Sequence, residues 1–336
     1  MDKVRLGRTN IVVNKNGFGA LPIQRISQAE ASAIMRKAYE NGVNYYDTAR
    51  SYSDSEEKIG ATFSAEERKS LFIATKTSAQ DAKTFWSHLE TSLKNLKTDY
   101  IDIQQFHNPP FMPKPDGEDG LYDAMLEAKR QGKIKHIGIT SHKLHVAKEA
   151  VLSGLYETLQ FPFNFLSEEQ DEAIVKLCEE HDVGFIVMKG MSGGLITDSA
   201  LTYAHLNEYK NVLPIWGIQK ESELDEFLSY QDEAPVLDDA KRAKIADERK
   251  QLAGNFCRAC GYCLPCPAKI DIPQAARMSL LLRRAVASNF TNEDYQKEMA
   301  KIDDCINCGR CIRNCPYGLN TPELLRENYE DYKTFL

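Results

Sequence analysis

Eight short β-rich runs alternating with amphipathic helices constrain this chain more than any other feature. The runs are "NGFGALPI", "VNYYDTA", "LFIATKT", "YIDIQQFH", "IKHIGITSH", "TLQFPFN", "VGFIVMKG" and "VLPIWG". Between them lie helical patterns such as "AKTFWSHLETSLKNLKT", in which Phe85, Leu89, Leu93 and Leu96 form one stripe. Strands that alternate with helices predict a parallel sheet. Eight is the closing number of a (β/α)8 barrel, and the pattern ends near residue 233, close to the usual barrel length of about 250 residues. A doubly wound open sheet is the rival, but no G-x-G-x-x-G follows the first strand. Ahead of the first barrel run, "VRL" and "IVV" flank "GRTN". They predict a small hairpin plugging the barrel bottom.

After about residue 234 the pattern changes. "APVLDDAKRAKIADERKQLAGNF" reads as a charged helical connector, and two cysteine runs follow, separated by helical stretches. Nine cysteines are present, and eight fall in these runs. Tight C-x-x-C spacing in a chain without a secretory pattern points to metal or cluster rather than disulfides. The second run, Cys305, Cys308, Cys311, Cys315 and then Pro316, has the C-x₂-C-x₂-C-x₃-C-P spacing of bacterial ferredoxins. The first, Cys257, Cys260, Cys263, Cys266 and then Pro267, is one residue shorter before its last cysteine. Three cysteines at i, i+3 and i+6 can cap three corners of a cubane, while the fourth, held off by proline, serves the other cluster. Cross-ligation is therefore expected: Cys257, Cys260, Cys263 and Cys315 on one [4Fe–4S] cluster, and Cys305, Cys308, Cys311 and Cys266 on the other. Two zinc sites are the alternative, but zinc favours two separated ligand pairs. The ninth cysteine, Cys178, shares a helical face with Ala173, Ile174 and Leu177 and is expected in the core. The chain thus divides into a barrel over 1–233 and a helical connector with a small ferredoxin-like domain over 234–336.

Composition narrows the function classes. The net charge of -7 supplies no basic field for nucleic acid. At 42% hydrophobic and 27% charged, the chain has an ordinary globular balance. No stretch has the apolar length of a membrane span, and "MDKVRLGRTNIVVNKNG" has no signal-peptide apolar region. A cytoplasmic location, with neither membrane nor nucleic acid as partner, is expected.

Chemistry in such a barrel sits where strands end at the C-terminal face. Asp47 ends the second strand, with Tyr52 in the following loop; Lys76 ends the third and His107 the fourth. Singly, each has a structural explanation as a helix cap, a solvated amine or a loop partner. Together they place an acid, a phenol, an amine and an imidazole on one rim. A free phenol has a pKa of about 10. An adjacent ammonium favours phenolate and is expected to lower that value toward the operating range. A carboxylate would hold the ammonium, and the imidazole could bond a carbonyl oxygen.

On these residues the sequence resembles the aldo/keto reductase family. "YYDTARSY", "IATK" and "IQQFHNP" are similar to that family's Asp, Tyr, Lys and His segments, and "LGRTNIVVNKNGFGALP" resembles its hairpin and first strand. The cysteine runs and "PIWGIQKESELDEF" resemble an iron–sulfur branch of the family. The resemblance covers residues 1 to about 230. It implies a reductase with NADPH extended across the barrel mouth, Tyr52 as general acid, and a small-molecule carbonyl as substrate. Ser141 matches the family's carboxamide-binding serine, while His142 stands where its neighbour is asparagine. Gln160 matches the carboxamide-binding glutamine. Met188, followed by Lys189, stands where many members stack a tyrosine on nicotinamide. Gly193, Gly194 and Leu195 match the pyrophosphate-wrapping loop. In "GIQKESE", Gln219 and Lys220 fall in the adenosine segment, where Glu221 and Glu223 would repel a 2′-phosphate. NADH, or FMN in the same phosphate cradle, is therefore the alternative to NADPH.

Hydride transfer moves two electrons and a cubane passes one. Three functions follow. The clusters exchange electrons with the rim site, with ferredoxin or another carrier as partner. Alternatively, the chain is a conventional NAD(P)H carbonyl reductase whose clusters are structural or sensing. In the third, it is an electron-transfer module with an idle barrel site.

Overall fold

The computed structural model describes residues 2–252, 256–259, 261–284, 286–315 and 317–336. Cys260 and Pro316, both assigned roles above, lie outside the described residues. The chain forms two compact units: residues 1–190 with 203–237, and residues 191–202 with 238–336.

The first unit opens with a hairpin, β1 (Lys3–Arg5) paired antiparallel with β2 (Val12–Asn14). Eight parallel strands follow: β3 (Gly17–Gly19), β4 (Tyr45–Asp47), β5 (Phe72–Thr77), β6 (Ile101–His107), β7 (Ile134–Thr140), β8 (Thr158–Pro162), β9 (Gly184–Met188) and β10 (Val212–Gly217). They pair in sequence order, and β10 closes on β3, so the eight form a closed barrel. The eight runs read from the sequence are these eight strands.

The hairpin's Val4, Leu6, Ile11 and Val13 pack with Tyr45, Ala74, Ile103, Ile186, Leu213 and Ile215 from the barrel interior. Burying them there removes apolar side chains from water that the eight strand ends alone would leave wet. Gly7 is where the hairpin meets the barrel wall. Its φ is +51°, and a Cβ would lie 2.4 Å from both the Asp182 carbonyl and the Gly184 amide. The stripe Phe85, Leu89, Leu93 and Leu96 is buried along the helix Ala82–Leu96, which Asp81 caps by accepting from the Thr84 amide.

The second unit has its own core. Ile270, Ile272, Met278, Leu282, Met299, Ile302, Leu325 and Tyr332 pack with Cys257, Cys263 and Cys311, and Cys266, Cys305 and Cys315 border them. The expected connector helix spans Asp239–Gln251 and the final helix Thr321–Lys333. The stretch between the cysteine runs is broken into shorter pieces, Ile272–Ala275, Met278–Arg284 and Glu293–Ala300 among them.

Candidate active site and metal centre

Asp47 and Lys76 form the centre of the barrel rim. Lys76 Nζ lies 2.6 Å from Asp47 Oδ2 and donates to the Thr48 carbonyl at 2.7 Å. Both residues are almost wholly buried. Burial works against the Lys76 ammonium, but Asp47 and Tyr52 outweigh it and the pKa rises. Burial pushes the Asp47 carboxyl up, and Lys76, Gln160 and Gln105 offset this only in part. Gln105 Nε2 bridges the two, reaching Gln160 Oε1 at 3.0 Å and Asp47 Oδ1 at 3.5 Å.

Tyr52 stands over this pair. Lys76 Nζ is 5.1 Å from the centre of its ring and acts electrostatically on its hydroxyl. The expected net lowering of the Tyr52 pKa is not found. Burial raises it above the ordinary 10.0, and the pull of Lys76 offsets that without reversing it. The ammonium has the expected sign, but desolvation of the phenolate is the larger effect. Tyr52 is therefore a protonated phenol at neutral pH, poised beside a cation that favours loss of its proton.

His107 completes the rim, its ring centre 5.7 Å from that of Tyr52 and nearly perpendicular to it. Burial, Lys76 and His142 together bring its pKa down to about 3, so the imidazole is neutral. Its Nδ1 is 3.3 Å from Ser51 Oγ. Burial and Lys189 lower His142 in the same way, also to about 3.

The remaining sequence-assigned positions fall into four groups. Ser141 and Gln160 are buried on adjacent strand ends, the Ser141 amide donating to the Gln160 carbonyl at 3.0 Å. His142 is held by its amide to Asn108 Oδ1 at 3.2 Å. Met188 ends β9, and Lys189 follows at φ +61°, its carbonyl accepting from Asn164. Gln219 and Lys220 both donate backbone amides to Glu223, at 2.8 and 2.9 Å. Glu223 thus caps the helix Glu221–Asp232, and Glu221 pairs with Lys37 at 2.6 Å. These two glutamates have local structural partners. Gly193, Gly194 and Leu195 belong to the second unit.

Two contributors were missed by sequence reasoning. Gln105 lies two residues before His107, so strand alternation turns both side chains to the same side. Gly138 makes room for it: a Cβ there would lie 3.0 Å from Gln105 Cγ and 2.3 Å from Thr158 Oγ1. Glu56, 1% exposed, accepts from Thr75 and Ser92 at 2.7 Å and pairs with Arg50. It pins the Tyr52 loop to β5.

In the second unit, Cys263, Cys266, Cys305, Cys308 and Cys311 line one recess, walled by Pro267, Ile270, Ile272, Pro322 and Leu325. Cysteines of both runs therefore face the same space. Soft thiolates in an apolar wall suit an iron–sulfur cluster. Cys178, in the barrel unit, is fully buried, and burial pushes its thiol up.

Among the described residues, no helix is long and apolar enough to cross a membrane. Residues 15–212 match the aldo/keto reductase family, and residues 256–320 match the 4Fe-4S dicluster domain. Among curated proteins, the chain is 29% identical over 218 residues to "Uncharacterized oxidoreductase YqkF" of Bacillus subtilis, covering 61% of this chain and 69% of that protein. It is 33% identical over 127 residues to "Methylglyoxal reductase DkgA" of Salmonella typhimurium, covering 37% and 45%. Among solved structures, an aldo-keto reductase from Bacillus halodurans in its holo form superposes with a TM-score of 0.64 at 23% identity, over 74% of this chain and 96% of that one. An aldo-keto reductase from Klebsiella pneumoniae in complex with NADPH gives 0.63 at 19% identity, over 74% and 95%. The chain belongs to the aldo/keto reductase family and is an oxidoreductase of that family carrying a 4Fe-4S dicluster domain.

Proposed function

We propose that the barrel rim reduces a carbonyl substrate, with Tyr52 as general acid, and that the dicluster domain exchanges electrons with that site. The observation that carries this reading is the buried Lys76–Asp47 pair, 2.6 Å long, under the Tyr52 ring. A bound nicotinamide would supply hydride, and two cubane clusters would supply or drain single electrons. Tyr52 donates its proton to the carbonyl oxygen as negative charge builds there. Lys76 stabilises the phenolate left behind, and Asp47 keeps Lys76 charged and in place. Neutral His107 orients the carbonyl by hydrogen bonding.

Ser141, Gln160, His142, Met188 and Lys189 are the barrel residues proposed to hold the nicotinamide end, with Gln219 and Lys220 at the adenosine end. The related structure in complex with NADPH supports that phosphate-bearing cofactor. The local roles of Glu221 and Glu223 weaken the case against it, although NADH and FMN stay as alternatives to be tested. In the second unit, Cys305, Cys308, Cys311 and Cys266 are proposed to hold one cluster. The recess that these four line, together with Cys263, supports ligands drawn from both runs. Cys257, Cys260, Cys263 and Cys315 would hold the other. An electron carrier of the ferredoxin kind is the proposed protein partner.

The test is an anaerobic preparation assayed for iron and followed by visible spectrum before and after NADPH. About eight irons per chain are expected, four from each of two cubanes. Bleaching of the cluster absorbance by NADPH supports electron exchange, and extra flavin bands would name FMN as intermediary. Full iron without bleaching, with NADPH-dependent aldehyde reduction intact, would leave a conventional reductase with structural clusters. Unchanged electron transfer in Tyr52→Phe would support an idle barrel.

A further inference from the structure

The second cysteine run carries more at its surface than cluster ligands. Of the described cysteines in the two runs, Cys308 is the exposed one, and the others are buried or half-buried. Cys308 also lines the recess that both runs share. A cluster held there has little protein between it and solvent on this side. Two large apolar side chains stand two and four residues from Cys308. Ile306 is 67% exposed and Ile312 is 42% exposed. Scattered single apolar residues at a surface need no explanation, but two beside an exposed ligand cysteine mark a patch that a partner could cover.

Arginines gather on the same loop. Arg313 Nη1 donates to the Cys308 carbonyl at 3.1 Å, and it passes so close to Gly309 that a Cβ there would lie 3.1 Å from it. Arg326, on the helix Thr321–Lys333, donates to Asn307 Oδ1, and Asn307 in turn donates to the Cys305 carbonyl at 3.5 Å. Arg310 borders the recess itself. Arg313 and Arg326 are exposed, and the acceptors they use here are a neutral carbonyl and a neutral amide. Between Cys305 and Arg326 the one carboxylate in the sequence is Glu323, which accepts from Asn320. Asp303 and Asp304 precede Cys305, and Asp303 acts electrostatically on Lys333.

This local excess of cations stands against a net charge of -7 for the whole chain. An acidic protein is repelled by most of such a surface and steered to the one place where the sign is reversed. A small apolar centre with a charged rim suits a weak, transient encounter, the class that buries less than about 1,200 Å². Carboxylates on the partner would complete the bonding of guanidinium groups that now meet neutral acceptors.

We propose that the loop Ile306–Cys308, with Ile312, Arg310, Arg313 and Arg326, is the docking surface for an acidic one-electron carrier protein. The reduced carrier loses one electron, and the cluster proposed at Cys305, Cys308, Cys311 and Cys266 gains it. No bond is made or broken and no proton moves. The electron as cargo rests on the exchange proposed above; docking of an acidic protein on this face does not.

The experiment uses the iron-loaded full chain without oxygen, with an acidic [2Fe–2S] ferredoxin as probe. Calorimetry follows binding of the oxidised ferredoxin, and stopped-flow absorbance follows reduction of the clusters by the reduced one. Affinity should fall about tenfold or more between about 0.1 M and 1 M salt, as the screening length shrinks from about 10 Å to about 3 Å. Arg313→Gln and Arg326→Gln should each weaken binding about twofold to fivefold, the size expected for an exposed ion pair. Arg326→Gln and Ile306→Ser guard against an Arg313→Gln that loses iron, since neither side chain bonds a cysteine, and both should weaken binding at full iron content. Reduction by methyl viologen radical, which needs no docking, should be equal in all of them. Equal ferredoxin affinity in parent and variants at full iron content overturns the inference, and so does an affinity indifferent to salt. Self-association lost in Ile306→Ser, with no ferredoxin bound, overturns it in favour of a second copy of the chain. Binding that depends on salt and Arg326, with clusters that neither ferredoxin nor viologen reduces, supports the surface and refutes the electron exchange. Clusters reduced by ferredoxin at one rate in parent and variants do the reverse.

Discussion

Replacing Lys76 by methionine separates the rate contribution of this residue from its structural one. Its Nζ is 5.1 Å from the Tyr52 ring centre. Two unit charges at about that distance, in an effective dielectric of about 20, attract by about 3 kcal/mol. If that attraction is realised as Tyr52 gives up its proton, its loss lowers kcat roughly two hundredfold, since 1.36 kcal/mol is tenfold. The substitution also strands the buried Asp47, which costs about 3–5 kcal/mol of stability. The double variant Asp47→Asn with Lys76→Met removes the stranded charge, so it should regain much of the stability and none of the rate. Turnover is followed with NADPH and 4-nitrobenzaldehyde across pH. Stability is followed by tryptophan fluorescence in urea, because both tryptophans, Trp86 and Trp216, lie in the barrel unit. Lys76 favours the phenolate, so its removal should also move the alkaline limb of the rate profile to higher pH. A well-folded Lys76→Met enzyme with kcat near that of the parent would refute the assigned role.

Three further outcomes are expected. His107 and His142 have pKa values lowered to about 3 from 6.5 by burial, so folding holds them neutral. Their contribution is fully present above about pH 6.5 and is lost as pH falls toward 3, because the unfolded chain binds more protons there. The urea midpoint of the barrel should fall over that window, and less steeply in His142→Gln; an identical slope counts against the buried-neutral assignment. Gly138→Ala should cost about 1–3 kcal/mol by forcing Thr158 and Gln105 to move, and should slow turnover through Asp47; parent-like kinetics and stability would mean Gln105 has no positioning role. Removing iron with a chelator should open residues 191–202 and 238–336 to protease while the barrel core survives, and Cys266→Ser should lose the same cluster signal as Cys305→Ser. Loss of different signals would refute the cross-ligation.

Much of the barrel could be read from sequence because its signals are local. Each strand is a short apolar run, and Asp47, Lys76 and His107 fall at or next to strand ends. The balance at Tyr52 was not legible, because the sequence carries the partner Lys76 but not the dry surroundings that outweigh it. Gln105 reads as one more strand residue until Gly138, on the next strand, opens the space it fills. Glu221 and Glu223 look like a repulsive pair in "GIQKESE", yet their charges are turned to a helix start and to Lys37, which is almost two hundred positions away. Arg277 falls in a stretch whose sequence reads as plain helix, though it stands in the turn between Ile272–Ala275 and Met278–Arg284, and nothing nearby in sequence signals that it meets Ser192 across 85 residues.

The detour of Met191–Thr202 also bears on how such a chain could be assembled or recombined. A cut near residue 237 would not yield two self-sufficient parts. It would leave Leu195 and Asp198 behind while taking away Arg284 and Lys244, which hold them. Grafting the cysteine-bearing tail onto another barrel would require a matching loop after the strand equivalent to β9 as well. The tail and that loop form one heritable part written in two places, and substitutions in either are expected to be selected together.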